Sequence, residues 1–209
     1  MKMPQIKICG INDAGIAQRA EALGADYIGF IFAARSPRRV TPDAAAAIAA
    51  TLSGRAKKVG VFTDTSLAEM LDVARRVPLD VVQLHSRDYG ADEICALRAA
   101  GLEVWQLESD GADATLLDGA AADGRSGGTG LPADWKRAAE LAASRVRVVL
   151  AGGISADNIL AAAETGCAIL DVNSSLEVRP GVKSLALLDR LFQASLALTR
   201  TEPNAVRGC

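Results

Sequence analysis

Eight short apolar runs recur along this chain at intervals of about 25 residues, each followed by a glycine or polar break. They are Gln5–Cys9, Tyr27–Phe32, Lys58–Phe62, Val81–Leu84, Glu103–Leu107, Thr115–Leu117, Arg147–Ala151 and Ile169–Val172. Runs this short, rich in Val, Ile and Leu on both faces, suit parallel strands buried on both sides. Helical segments separate them. Asn12 or Asp13 starts one that Gly24 stops after Leu23. Thr41-Pro42-Asp43, an N-cap with proline at N1, opens another that ends near Leu52. Ser66 begins a third that stops before Pro78, and Gly101 closes a fourth over 91–100. Trp135–Ala143, Ile159–Thr165 and Ser184–Leu198 complete the set. Between Leu107 and Thr115 only about seven residues remain, so a loop or single turn replaces the fifth helix.

Strand and helix in alternation define a parallel α/β protein, and eight units point to a (β/α)8 TIM barrel in a single domain. A doubly wound open sheet is the runner-up, weakened because no G-x-G-x-x-G follows the first strand. The barrel is expected over 1–200, with 201–209 as a frayed tail. At 209 residues the chain is long enough for one substantial core, and no linker divides it. A net charge of −2, with acids and bases interspersed, argues against nucleic acid as a partner. No apolar run reaches the roughly 20 residues of a membrane span. Without a signal segment, and with Cys9, Cys95, Cys167 and Cys209 far apart, a cytoplasmic location with free thiols is expected. No long apolar seam is evident, so a monomer is expected.

In a (β/α)8 barrel the active site lies at the C-terminal ends of the strands. That rule selects Cys9, Phe32 with the loop 35–39, Asp64, His85, Gln106, Asp118, Gly152 with Gly153, and Asp171 with Asn173–Ser175. Gly152 and Gly153 end an apolar strand and precede a helix that Asp157 or Asn158 caps. Backbone N–H groups can approach a phosphate closely there. Ser174 and Ser175 follow the next strand, and in this fold the loops after strands seven and eight often form a phosphate site. Cys9 is a candidate proton acceptor if its pKa is lowered, and Lys7, on the same strand face, is placed to supply the charge. The alternative for Cys9 is a small apolar filler. Asp118 has no base beside it in sequence and is either a carboxylic acid in the mouth or a turn former. Arg38 is suited to a bidentate fork on a carboxylate. His85, the sole histidine, is read as structural or substrate-orienting. No metal constellation is present in the sequence. A Schiff-base aldolase would depend on Lys7, and a regulatory phosphate-binding barrel without catalysis is the non-enzyme alternative.

Taken together, Lys7-Ile8-Cys9-Gly10-Ile11, Ser36-Pro37-Arg38, Val82-Gln83-Leu84-His85, Leu117-Asp118, Gly127-Gly128-Thr129-Gly130, Asp134-Trp135, Leu150-Ala151-Gly152-Gly153 and Asp171-Val172-Asn173-Ser174 occur in an order that resembles the phosphoribosylanthranilate isomerase family of tryptophan biosynthesis. The resemblance extends to Lys183, nearly the whole chain. It implies a cofactor-free Amadori rearrangement of a phosphorylated aminosugar, with Asp118 as general acid and Cys9 as general base. It also implies Arg38 near the anthranilate carboxylate, His85 and Asp171 at the substrate, and Gly152, Gly153, Ser174 and Ser175 on the phosphate. Ser86, Gln106, Ser175, Ser184 and Ala133 depart from the pattern, Gln106 standing where lysine is frequent.

Overall fold

A computed structural model describes residues 3–86, 88–119 and 133–199. The Gly127–Gly130 motif, Cys209 and the tail over 201–209 lie outside these residues. Eight parallel strands close into a barrel in sequence order: β1 (Gln5–Ile8), β2 (Tyr27–Ile31), β3 (Lys57–Phe62), β4 (Val81–Leu84), β5 (Glu103–Leu107), β6 (Ala114–Leu117), β7 (Val148–Leu150) and β8 (Ile169–Val172). The helices are α1 (Ala14–Leu23), α2 (Pro42–Ala49), α3 (Leu67–Arg76), α4 (Ala91–Ala99), α5 (Trp135–Ala143), α6 (Ile159–Glu164) and α7 (Leu185–Thr199). A turn joins β5 directly to β6, as the short spacing requires. Beyond β8, a small antiparallel hairpin pairs β9 (Glu177–Arg179) with β10 (Val182–Lys183). Among the described residues no helix is long and apolar enough to cross a membrane.

Helix starts follow the sequence where a short polar side chain can reach back. Asp13 accepts from the Ile16 amide, Thr41 from Ala44 with Pro42 behind it, and Ser66 forms a capping box with Glu69. Alternation along the strands then divides the core in two. Ile8, Ile28, Phe30, Val82 and Leu170 face the helices, whereas Tyr27, Val59, Val81, Trp105, Leu116, Val149 and Ile169 fill the barrel. Few aromatics are available, and two of them plug the N-terminal end. Tyr27 and Trp105 meet edge to face at 4.9 Å, and the Arg147 guanidinium lies 5.9 Å from the Trp105 ring. Arg147 also pairs with Glu103 and donates to the Tyr27 hydroxyl. The closed bottom leaves the opposite end as the mouth.

One buried carboxylate anchors the turn between α2 and β3. Glu21, 5% exposed, accepts from the backbone amides of Ser53, Arg55 and Ala56. Burial pushes its pKa up, but these bonds outweigh it and hold it below the usual carboxylate range. Glu21→Gln should therefore lose about 1–3 kcal/mol at neutral pH. Because the folded pKa is depressed, this contribution is present above about pH 4.3 and fades as pH falls through the folded-state value. Thermal melts of variant and wild type should converge on acidification; a constant gap would refute the account.

Candidate active site at the barrel mouth

A cavity of about 1320 Å³ opens at the C-terminal ends of the strands. Cys9, Arg38, His85, Asp118, Gly152, Gly153, Asp171 and Ser174 all line it, as the barrel rule predicts. Ser175 lies just behind, its hydroxyl donating to the Ile154 carbonyl at 2.5 Å, so the loops after β7 and β8 are tied together. Gly152 and Gly153 have φ values of 88° and 69°, left-handed backbone that only glycine adopts freely, and they turn the chain back over the mouth. Asn158 precedes α6 but makes no side-chain cap, contrary to the sequence reading. It braces the glycine turn instead, donating to the Gly153 carbonyl at 2.9 Å and accepting from the Ser155 amide at 2.8 Å. Helix α6 spans only six residues. The shape of this corner therefore rests on the glycine turn and on the single 3-10 turn Ser174–Leu176.

Asp118, without a base near it in sequence, has one in space. His85 Nε2 lies 3.0 Å from Asp118 Oδ2. The His85 amide is itself fixed by a 2.7 Å bond to the Phe62 carbonyl. Gln106 contributes from behind rather than from within the mouth. Its side chain turns outward, where Nε2 donates to the carbonyls of Tyr89 at 2.8 Å and Ser86 at 3.4 Å. This corrects its assignment to the mouth: Trp105 takes the inward position, so Gln106 must face the helices.

Across the mouth, Cys9 sits beside a buried ion pair. Lys7 is fully buried and its Nζ donates to Asp171 Oδ2 at 2.6 Å. Gly29 on β2 leaves the room: a Cβ there would stand 3.1 Å from both Cys9 Sγ and Lys7 Cε. Burial pulls the Lys7 ammonium down, but Asp171, helped by Cys9, raises it above its ordinary value. A charged, ion-paired Lys7 is a poor Schiff-base nucleophile, which removes the aldolase reading. Lys7 does pull on the Cys9 thiol, yet burial outweighs that pull and Asp171 opposes it. The thiol is therefore pushed up rather than down, contrary to the sequence expectation.

Arg38 does form a bidentate fork, but with a carboxylate of its own chain. Its Nε and Nη2 donate to Glu177 Oε1 and Oε2 at 2.7 and 2.9 Å. Lys183 joins them, its Nζ 3.3 Å from Glu177 Oε1 and 3.0 Å from Asn173 Oδ1. Burial pushes Glu177 up, and Arg38 and Lys183 more than reverse it. Burial lowers the Lys183 ammonium despite Glu177. Neither Glu177 nor Lys183 was singled out by sequence; the only signal was opposite charges in the loop after the last strand. Arg35 and Arg39 are exposed. No group of three or more His, Cys, Asp or Glu side chains among the described residues is placed to hold a metal ion.

Titratable groups gathered at the mouth of a closed parallel barrel define a (β/α)8-barrel enzyme. More narrowly, the chain belongs to the N-(5'-phosphoribosyl)anthranilate isomerase family, whose model, described as N-(5'phosphoribosyl)anthranilate (PRA) isomerase, matches residues 6–194. It is thus an isomerase of tryptophan biosynthesis. It is 36% identical to the N-(5'-phosphoribosyl)anthranilate isomerase of Allorhizobium ampelinum, with 96% of each chain covered. To the Rubrobacter xylanophilus enzyme it is 39% identical, over 92% of this chain and 99% of that one. The crystal structure of phosphoribosyl anthranilate isomerase from Thermus thermophilus superimposes with a TM-score of 0.84 at 36% identity, covering 93% of this chain and 99% of that one. Another isomerase structure is in complex with reduced 1-(o-carboxyphenylamino)-1-deoxyribulose 5-phosphate. It aligns with a TM-score of 0.77 at 27% identity, over 93% of this chain and all of the other.

Proposed function

We propose that this isomerase converts N-(5-phosphoribosyl)anthranilate into 1-(2-carboxyphenylamino)-1-deoxyribulose 5-phosphate, with Asp118 as general acid and Cys9 as general base. The observation that carries the reading is the placement of a carboxyl group at the end of β6 and a thiol at the end of β1 in one cavity. Asp118, its Oδ2 oriented by His85, gives a proton to the furanose ring oxygen. The C1–O bond breaks and the nitrogen lone pair completes an iminium. Cys9 then removes the C2 proton, and the C2–H electrons form the enolamine, neutralising the iminium. A proton returns to C1 and the C2 hydroxyl loses one, giving the ketone. Substrate and product have the same composition, so no oxidant or cofactor is required.

The ends of the substrate have matching surroundings. The phosphate is read against Gly152, Gly153, Ser174 and Ser175, where backbone amides and the Ser174 hydroxyl supply donors, the Ser175 hydroxyl being engaged by the Ile154 carbonyl. The anthranilate carboxylate is read against Arg38. Glu177 occupies two of the guanidinium's five donors and fixes its plane. Loss of anthranilate-type fluorescence from freshly made substrate, unaffected by EDTA, tests the activity. Decay no faster than the spontaneous rate would end the proposal.

The elevated thiol pKa has its own consequence. In the free enzyme Cys9 is protonated at neutral pH, and the positive iminium formed beside it is what favours the thiolate during turnover. Alkylation of the Cys9 peptide by iodoacetamide, followed by mass spectrometry, should titrate with a midpoint above the ordinary thiol value of about 8.5. A midpoint below that value would mean that the Lys7 charge dominates.

A further inference from the structure

Among the described residues, two acceptors buried in the mouth have no donor. Gln83 lies on β4 two residues before His85, so both side chains face inward. Gln83 is 2% exposed and lines the cavity, and its Oε1 has no hydrogen-bond partner. On β8, Lys7 occupies Oδ2 of Asp171, and the other oxygen, Oδ1, is equally buried and equally unpartnered. In the closed order β1 to β8, strands β4 and β8 are four apart in either direction, so these acceptors stand on opposite walls. Trp135 Nε1 is also unpartnered among the described residues, but Trp135 packs against the core cluster outside the barrel and does not line the cavity.

Packing does not account for an amide at Gln83. Its register neighbours, Val61 on β3 and Trp105 on β5, are apolar, and an aliphatic side chain would fill the position without an unmet acceptor. Leaving such a group unpaired costs about 1–3 kcal/mol. Nearly all buried polar groups find partners, and here a molecule in the mouth can provide one.

The choice of ligand group follows from chemistry and rests on the isomerase reading above. At neutral pH the phosphate at one end and the carboxylate at the other are acceptors themselves and cannot satisfy a carbonyl or carboxylate oxygen. The donors of such a ligand are its sugar hydroxyls and one amine N–H. We propose that Gln83 is a specificity-determining residue whose side-chain carbonyl accepts a hydrogen bond from a sugar hydroxyl, with Asp171 Oδ1 as a second acceptor on the facing wall. A neutral amide does this without adding another negative charge to a mouth that already receives a ligand anionic at both ends. A site built around a hydroxyl discriminates strongly against a ligand that lacks it, because the protein acceptor is then left buried and unpaired.

Equilibrium binding tests this without turnover. The probes are reduced 1-(o-carboxyphenylamino)-1-deoxyribulose 5-phosphate and its three counterparts lacking the C2, C3 or C4 hydroxyl. At least one of these should bind wild type about 10–100-fold more weakly than the parent. Gln83→Met, similar in length but without an acceptor, should weaken the parent by a comparable factor and show no further loss for that deoxy compound. Gln83→Glu keeps an acceptor in place and should keep the discrimination. Equal affinity of wild type for all four compounds overturns the inference, as does a Gln83→Met loss that multiplies with the loss from the missing hydroxyl. Failure of wild type to bind the parent at all would instead remove the isomerase reading.

Discussion

Asparagine at position 118 is expected to lower kcat by about 10²–10⁴-fold while leaving binding of the reduced product analogue near wild type. Asparagine matches aspartate in size and retains a polar atom for His85 Nε2, which stands 3.0 Å from the carboxyl group. What it lacks is a proton to give to the ring oxygen. Cys9→Ala should fall by a similar factor for the opposite reason, since nothing then receives the C2 proton. The two groups act in successive steps, so their losses should not multiply. The double variant is expected to turn over about as slowly as the slower single one. Isotopic substitution separates the roles. With deuterium at C2, Cys9→Ala should show a primary isotope effect on kcat because proton removal limits it. Asp118→Asn should show little, because ring opening comes first. Wild-type turnover in both variants, or an isotope effect confined to the Asp118 variant, would reverse or remove the assignment.

The barrel was legible because its physical demands are written locally. A strand covered by helices on one side and barrel interior on the other must be apolar throughout, and Asp13, Thr41 and Ser66 mark where the covering helices begin. The missing helix after β5 followed from chain length alone. That same uniform burial hides which way each side chain points. In Glu103-Val104-Trp105-Gln106-Leu107, polarity does not label the faces, and Gln106 reads as a mouth residue although Trp105 takes the interior. Pairing across the fold is the other blind spot. The Asp118 carboxyl meets a histidine 33 residues earlier, and Arg38 meets a glutamate 139 residues later. Residue type announced that Arg38 suits a carboxylate; only closure of the barrel selects Glu177 as the one it meets. Asn158 shows a subtler version. Its position marks a helix start, yet the glycine turn before it presents better-placed backbone groups, and the side chain goes there instead.

Methionine at position 7 is expected to cost about 3–5 kcal/mol of stability and most of the activity, two losses with different causes. Methionine fills the space of the lysine stem in the pocket that Gly29 leaves open. It does not donate to Asp171, whose Oδ1 already lacks a partner, so both carboxylate oxygens would be buried and unpaired. Nothing would then offset the desolvation of that carboxylate, so Lys7→Met should melt well below the wild type at neutral pH. Adding Asp171→Leu should restore the melting temperature at neutral pH, since an apolar pair of similar volume replaces a buried ion pair without an orphaned charge. Activity should not return. The double variant lacks both the Asp171 acceptor proposed for the sugar and the nearest cation that draws the buried Cys9 thiol toward its thiolate. A Lys7→Met enzyme that melts and turns over like wild type would show that the ion pair supports neither the fold nor the base.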